Sequence, residues 1–287
     1  MDEKKIFILG SNGQLGSYLC QNLKSNNYKI KIYKSKNYKI NLKNFFRSAK
    51  KLKKLKPDMI INCSAYTDVD KSELEKKTAK RLNHEYVKIL RNYCELNSII
   101  LIHFSTDYVF SNKKKFYEPS DRCNPINYYG YTKYLGEKEI QKSKGKFFIF
   151  RISWLLSSQK KNFVMRIRNK IKKGKKFNVI YDAYSSPTSV IFINNFLKKN
   201  LNLLFNSSLS GIFHLTSPVV LSYFKLAKFI EKISFKKNYN IVQKEKFDNY
   251  VTIAKRPQVS KLGLKKTKKY FLLPKNSWKN DIKKLIK

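Results

Sequence analysis

Cysteine, glycine, proline and histidine are all scarce in this 287-residue chain. The four cysteines, Cys20, Cys63, Cys94 and Cys123, are scattered and form no C-x-x-C pair. That argues against a disulfide framework and a zinc knuckle, and fits inert thiols in a reducing cytoplasm. No apolar run approaches the ~18 residues of a membrane span. The start, Met1-Asp2-Glu3-Lys4-Lys5, runs straight into a short apolar segment with no long hydrophobic region, so no signal peptide is expected. With only 7 prolines and 9 glycines there is no flexible linker, and the parts of the chain should pack tightly. Acidic residues are few as well: 19 against 62 Lys and Arg, a formal charge of +43.

A surplus of that size raises nucleic-acid binding, because lysines release counterions from phosphates. The lysines are spread along the whole chain, however, together with many Asn, Ile, Phe and Tyr, all residues of A/T-rich codons. A biased genome writing Lys wherever the surface tolerates it explains the charge, and no specific nucleic-acid partner is expected. A nonspecific, salt-sensitive attraction to polyanions is the expected side effect. Hydrophobic residues at 42% and aromatics at 14% exclude a disordered chain and supply a core.

Apolar runs of strand length alternate with helical stretches. Strands are expected at Lys5 to Leu9, Ile30 to Tyr33, Met59 to Cys63, Ile99 to Phe104 and Lys146 to Ile152. Helices are expected from Leu15 to Leu23, Phe45 to Leu55, Glu73 to Leu96 and Tyr129 to Gln141. The strand runs are continuous rather than alternating, as strands covered on both faces require. The fold expected is α/β, a doubly wound parallel sheet over residues 1–155, with segments around 187–207 returning to it. Residues 156–287 mainly form a smaller α+β region, in which Gly211 to Leu215 reads as a short strand.

Gly10-Ser11-Asn12-Gly13-Gln14-Leu15-Gly16 lies between the first strand and the first helix. Gly10 permits the tight turn, Gly13 lets backbone approach a pyrophosphate, and Gly16 lets helix and strand close up. The helix N-terminus then faces the phosphates, so a dinucleotide is the cofactor expected. Tyr33 stands where an acidic residue usually grips the adenine ribose, followed by Lys34 and Lys36. Basic residues there suit a 2′-phosphate and point to NADPH, with NADH also admissible.

Ser105-Thr106-Asp107-Tyr108-Val109-Phe110 falls at the carboxyl end of the fourth strand, the edge where open α/β sheets bind ligands. In Pro125-Ile126-Asn127-Tyr128-Tyr129-Gly130-Tyr131-Thr132-Lys133, Tyr129 and Lys133 are one helical turn apart. An ammonium beside the phenol is expected to lower its pKa and make it a proton donor to a carbonyl. Tyr134 and Lys138 repeat the spacing but point elsewhere on the helix. His84, His103 and His214 are isolated, and His103 reads as a sheet histidine. Asp68 and Asp70 read as a helix entry and a substrate lip rather than a metal pair. No metal is expected.

Taken together, these strings resemble the extended short-chain dehydrogenases/reductases, and within them the dTDP-4-dehydrorhamnose reductase family. The resemblance runs nearly end to end: G-S-N-G-Q-L-G from Gly10, P-D-M-I-I-N-C-S-A-Y-T-D-V-D from Pro57, H-F-S-T-D-Y-V-F from His103 and P-I-N-Y-Y-G-Y-T-K from Pro125. It continues through F-R-I-S-W from Phe150, Y-S-S-P-T from Tyr184, G-I-F-H-L from Gly211 and R-P-Q-V-S-K-L from Arg256. The resemblance implies a Rossmann-like cofactor domain with a substrate-binding partner region, and reduction of a dTDP-linked 4-keto sugar in cell-envelope polysaccharide synthesis. It implies Thr106, Tyr129 and Lys133 as catalytic residues. Gly10, Gly13, Gln14, Leu15, Gly16, Ala65, Tyr66 and Thr67 would hold the cofactor with Tyr129 and Lys133; Asn41 and Leu42 would face its adenine end, where the family usually has an acidic residue. Thr106, Asp107 and Trp154 would contact the sugar nucleotide. Val259 and Lys261 depart from the Asn and Arg of the family string, and Lys does not replace Arg in gripping phosphate. A homodimer is admissible. Two alternatives stay open on the residues: a reductase or epimerase for another nucleotide-linked keto sugar, and a noncatalytic regulatory subunit of the same fold.

Overall fold

The computed structural model describes residues 3–41, 44, 49–111, 114, 116–159, 162–234, 240–275 and 277–286. Six parallel strands form the central sheet: β1 (Glu3–Leu9), β2 (Lys29–Lys34), β3 (Met59–Asn62), β4 (Ile100–Thr106), β5 (Phe147–Ile152) and β6 (Gly211–His214). Their spatial order is β6-β5-β4-β3-β1-β2, so the chain reverses direction between β1 and β3. Ligands bind in such folds at that reversal, outside the carboxyl ends of the strands.

Successive residues of β1 serve opposite faces. Ile6 and Ile8 join one core cluster with Leu15 and Leu19 of the first helix (Gln14–Asn22) and Phe196 and Leu201 of Val190–Asn206. Phe7 and Leu9 join another, with Val87 and Leu90 of Tyr86–Leu96. This two-sided burial is why the strands read as unbroken apolar runs.

Gly211–His214 is a correction to the sequence reading. It does not belong to the smaller α+β region but pairs in register with Phe148–Arg151 as the sixth sheet strand. Phe213 is the reason: its ring packs against Phe148 and Phe150 of β5 and against Phe271. The Glu73–Leu96 helix is also corrected. It breaks at Glu75 and widens into a π turn over Arg81–Glu85 before Tyr86–Leu96. A Cβ at Gly136 would lie 2.2 Å from the Asn83 carbonyl oxygen, so this turn presses directly on the neighbouring helix. Of the Phe45–Leu55 helix, Ala49–Leu55 is present, and residues 45–48 lie outside the described residues.

Around the carboxyl edge of the sheet sit short pairings. Phe177–Ile180 runs parallel to Val242–Glu245, and Tyr184–Ser185 antiparallel to Leu221–Ser222. The helices Phe163–Lys172 and Tyr223–Ser234 pack beside them. Among the described residues, no helix is long and apolar enough to cross a membrane.

Candidate active site

The glycine turn stands at the reversal point of the sheet. Gly10 has φ +73°, and a Cβ on it would sit 2.8 Å from the Cys63 carbonyl carbon, so strain and space both require glycine. Gly13 caps the first helix without a side-chain hydrogen bond, leaving amides at a nine-residue helix N-terminus free. Gly16 and Leu15 are buried beneath. Ser11 ties this turn to the end of β2: its hydroxyl meets Ser35 Oγ at 3.1 Å and accepts from the Lys36 N–H at 3.0 Å. Gln14 Oε1 accepts from Ser157 at 2.9 Å, fastening the turn to the chain beyond β5. A turn with no room for a Cβ at Gly10 or Gly16, and with helix N-terminal amides above it, fits a dinucleotide's pyrophosphate.

Tyr33 is buried against Tyr38 in the core, so Lys34 and Lys36 are left as the groups at the β2 end. Asn41 is exposed and exchanges hydrogen bonds with Asn44 at 2.8 and 3.1 Å, while Leu42 lies outside the described residues. Ala65, Tyr66 and Thr67 follow β3. Asn83 from the π turn clamps them: its Oδ1 accepts from Tyr66 N–H at 2.8 Å, and its Nδ2 donates to Tyr66 O and to Thr132 Oγ1 at 3.1 and 3.0 Å. Asn83 thus couples the loop after β3 to the helix carrying Lys133.

That helix runs Tyr128–Gln141 and is capped by Asn127, whose side chain accepts from Gly130 N–H at 2.8 Å. Gly130 lies against the turn after β4: a Cβ there would meet the Tyr108 carbonyl oxygen at 2.1 Å. Gly130→Ala is therefore expected to lift the helix from the sheet and cost at least tenfold in turnover, since ångström shifts of reacting groups cost that much or more. Steady-state kinetics on the folded variant checks it.

Tyr129 projects from this helix towards the end of β4, where the Thr106 side chain acts on its phenol. Thr106 Oγ1 gives its own proton to Asp107 Oδ1 at 3.0 Å. Asp107 is 6% exposed and accepts from Ser153 at 2.9 Å and from Ser260. Burial raises its pKa and the three hydroxyls oppose that. Ser153 and Ser260, the latter inside the R-P-Q-V-S-K-L string, complete a buried chain that fixes Thr106.

The expected lowering of the Tyr129 pKa is corrected. Burial pushes it well above the ordinary phenol value, the Thr106 hydrogen bond pulls it down, and Asp107 and Tyr108 push it up further. Lys133 does not contribute, because its Nζ donates to Phe104 O at 2.8 Å and lies 3.1 Å from His103 Nε2. The phenol is thus a fully protonated donor at neutral pH. Burial in turn lowers the Lys133 pKa to about 8. Lys138 spends its charge over the Tyr134 ring, 5.4 Å from the centroid, away from this pair.

Trp154 has φ +44°, in the left-handed region that bulky residues avoid. Its ring packs on Tyr223 and Phe163 at 4.3 and 5.2 Å, and among the described residues its buried indole N–H has no hydrogen-bond partner. Beside it a cavity of about 180 Å³ is lined by Phe163, Arg166, Lys170, Tyr223, Tyr250 and Arg256. Aromatic faces with cations between them suit a nucleoside diphosphate. A larger cavity of about 770 Å³, beside Gly211 and Lys266, includes none of the candidate catalytic, cofactor or substrate residues. Asp68 caps Val69–Leu74, and Asp70 holds Arg256 Nη2 at 2.5 Å, closing the R-P-Q-V-S-K-L segment over the site. Lys261 places its ammonium over Phe116, 5.5 Å from the ring centroid. Among the described residues no three His, Cys, Asp or Glu side chains cluster as metal ligands.

The family model of the RmlD substrate binding domain matches residues 4–287. The dTDP-4-dehydrorhamnose reductase of Salmonella typhimurium is 28% identical, over 98% of this chain and 96% of that protein. The enzyme of the same name from Aggregatibacter actinomycetemcomitans is 29% identical over 98% of each. Among solved structures, dTDP-4-dehydrorhamnose reductase from Bacillus anthracis in complex with NADP superposes with a TM-score of 0.86 at 29% identity, covering 99% of both chains.

Proposed function

Since the chain belongs to the family of the RmlD substrate binding domain, we propose that it works as that family's reductase, with a distinct role for each residue of the site. It catalyses the NADPH-dependent reduction of dTDP-4-dehydro-6-deoxy-L-mannose to dTDP-L-rhamnose. The observation that carries the reading is the Tyr129 phenol, protonated and facing Thr106 at the carboxyl end of β4, with Lys133 one turn along the helix.

NADPH, when bound, supplies the hydride. Gly10, Gly13, Gln14, Leu15 and Gly16 seat its pyrophosphate, Lys34 and Lys36 face its 2′-phosphate, Asn41 lies towards its adenine, and Ala65, Tyr66 and Thr67 wall the crevice. Thr106 orients the sugar C4 oxygen, and Tyr129 delivers its proton there as the carbonyl becomes an alkoxide. Lys133 holds the nicotinamide ribose and, as an ammonium, stabilises the phenolate that Tyr129 leaves. Asp107 keeps Thr106 in place, and Trp154 offers its free N–H to the sugar nucleotide. Arg166, Lys170 and Arg256 answer the diphosphate charge, and Tyr223 and Tyr250 the base. Residues 1–155 with 187–207 serve the cofactor, and 156–287 mainly the substrate. The cysteine pattern supports work in the cytoplasm.

Mixing the protein with the dTDP-linked 4-keto sugar and NADPH should bleach the NADPH absorbance and yield dTDP-L-rhamnose. Turnover of a different nucleotide-linked keto sugar alone would replace this substrate assignment.

A further inference from the structure

Asn62 and His103 are register partners on β3 and β4, exposed to 1% and 0%, and take no part in the chemistry above. Their hydrogen bonds allow one distribution of protons. The Ser64 N–H donates to Asn62 Oδ1 at 3.0 Å, which fixes the amide and leaves Nδ2 facing His103 Nδ1, also at 3.0 Å. An amide nitrogen only donates, so His103 Nδ1 must accept. A neutral imidazole then carries its proton on Nε2, and that N–H points at Lys133 Nζ, 3.1 Å away. An ammonium has no lone pair to receive it. In this arrangement Lys133 is an amine, accepting from His103 and donating to Phe104 O at 2.8 Å.

We propose that Asn62 and His103 are positioning residues that present an N–H rather than a lone pair to Lys133 and so hold down its affinity for a proton. The remaining groups facing Lys133 are Glu137 of its own helix and Cys63 beyond β3; both favour the ammonium, and Glu137 is already bound to Arg151. Burial acts with His103 and against them. Burial first, and the neighbouring Lys133 second, hold His103 itself far below the usual imidazole range, so it has no second proton to turn towards Asn62. The inference rests on the reading of Lys133 as the ammonium partner of Tyr129. Its consequence is that Asn62 and His103 set the pH at which that partner is lost.

Nitrogen NMR of the imidazoles tests this directly, since the chain has three histidines. On the alkaline side of the Lys133 transition, where the amine can accept, His103 should appear as the neutral Nε2–H tautomer. An Nδ1–H tautomer or an imidazolium there overturns the proposal. In Asn62→Asp the new carboxylate keeps the Ser64 bond but accepts from Nδ1–H, turning an Nε2 lone pair towards Lys133. The alkaline limb of kcat/KM, expected near 8 in the wild type, should then move up by about one pH unit, roughly tenfold in activity above the limb. An unmoved limb, or a tautomer that does not switch, overturns it. If the variant fails to fold, the wild-type tautomer decides alone. A wild type without NADPH oxidation at any pH would sink the reductase reading and leave the tautomer result untouched.

Discussion

Tyr129→Phe is expected to lower kcat by about 10²–10⁴-fold, the usual contribution of a positioned general acid. The variant deletes one hydroxyl, the one facing Thr106, and leaves the ring in its edge-to-face contact with Tyr108 at 5.9 Å. The glycine turn and the loop after β3 are untouched, so NADPH affinity, measured by fluorescence titration, should stay near wild type. The direction of the Tyr129 shift strengthens the expectation. A phenol that burial keeps protonated well above its ordinary range has a proton to give at any pH where the protein works. Equal turnover by variant and wild type would remove Tyr129 from the role of proton donor.

Glu137→Leu is expected to destabilise the fold by about 3–5 kcal/mol, the cost of leaving a buried charge without its partner. Glu137 and Arg151 are 0% and 2% exposed and joined at 2.7, 3.0 and 3.2 Å, binding the Tyr128–Gln141 helix to β5. Arg151 also donates to Pro119 O at 3.2 Å and lies over the Phe110 ring, so it cannot follow solvent outwards. Replacing both partners, Glu137→Leu with Arg151→Met, should recover most of the loss, because no charge then stays buried unpaired. Urea unfolding of the two variants checks this. A single variant within about 1 kcal/mol of wild type would mean that water reaches Arg151.

Much of the sheet was legible because two-sided burial writes itself as unbroken apolar runs: Lys5 to Leu9 and Ile99 to Phe104 were placed within two residues of β1 and β4. Gly211–His214 was readable as a strand but not as part of the central sheet, since its partner, β5, lies some sixty residues earlier in the chain. The π turn was not readable either, as Asn83 within it lies against the Gly136 backbone of a helix some fifty residues on.

The site divides in the same way. The glycine turn, the strand end at Thr106 and the Tyr129/Lys133 pair are local patterns, each within a dozen residues, and the sequence alone specified them. Asn62, Asn83, Ser153 and Ser260 carry no local signal: each acts on a residue from another part of the chain or another element. Fold class and reaction type were therefore settled by short-range order, because turns and helical spacing are short-range facts. Which way the protons point, and whether Lys133 lowers Tyr129 or is itself lowered, was decided only by folding, because burial and hydrogen-bond direction exist only once distant strands lie side by side.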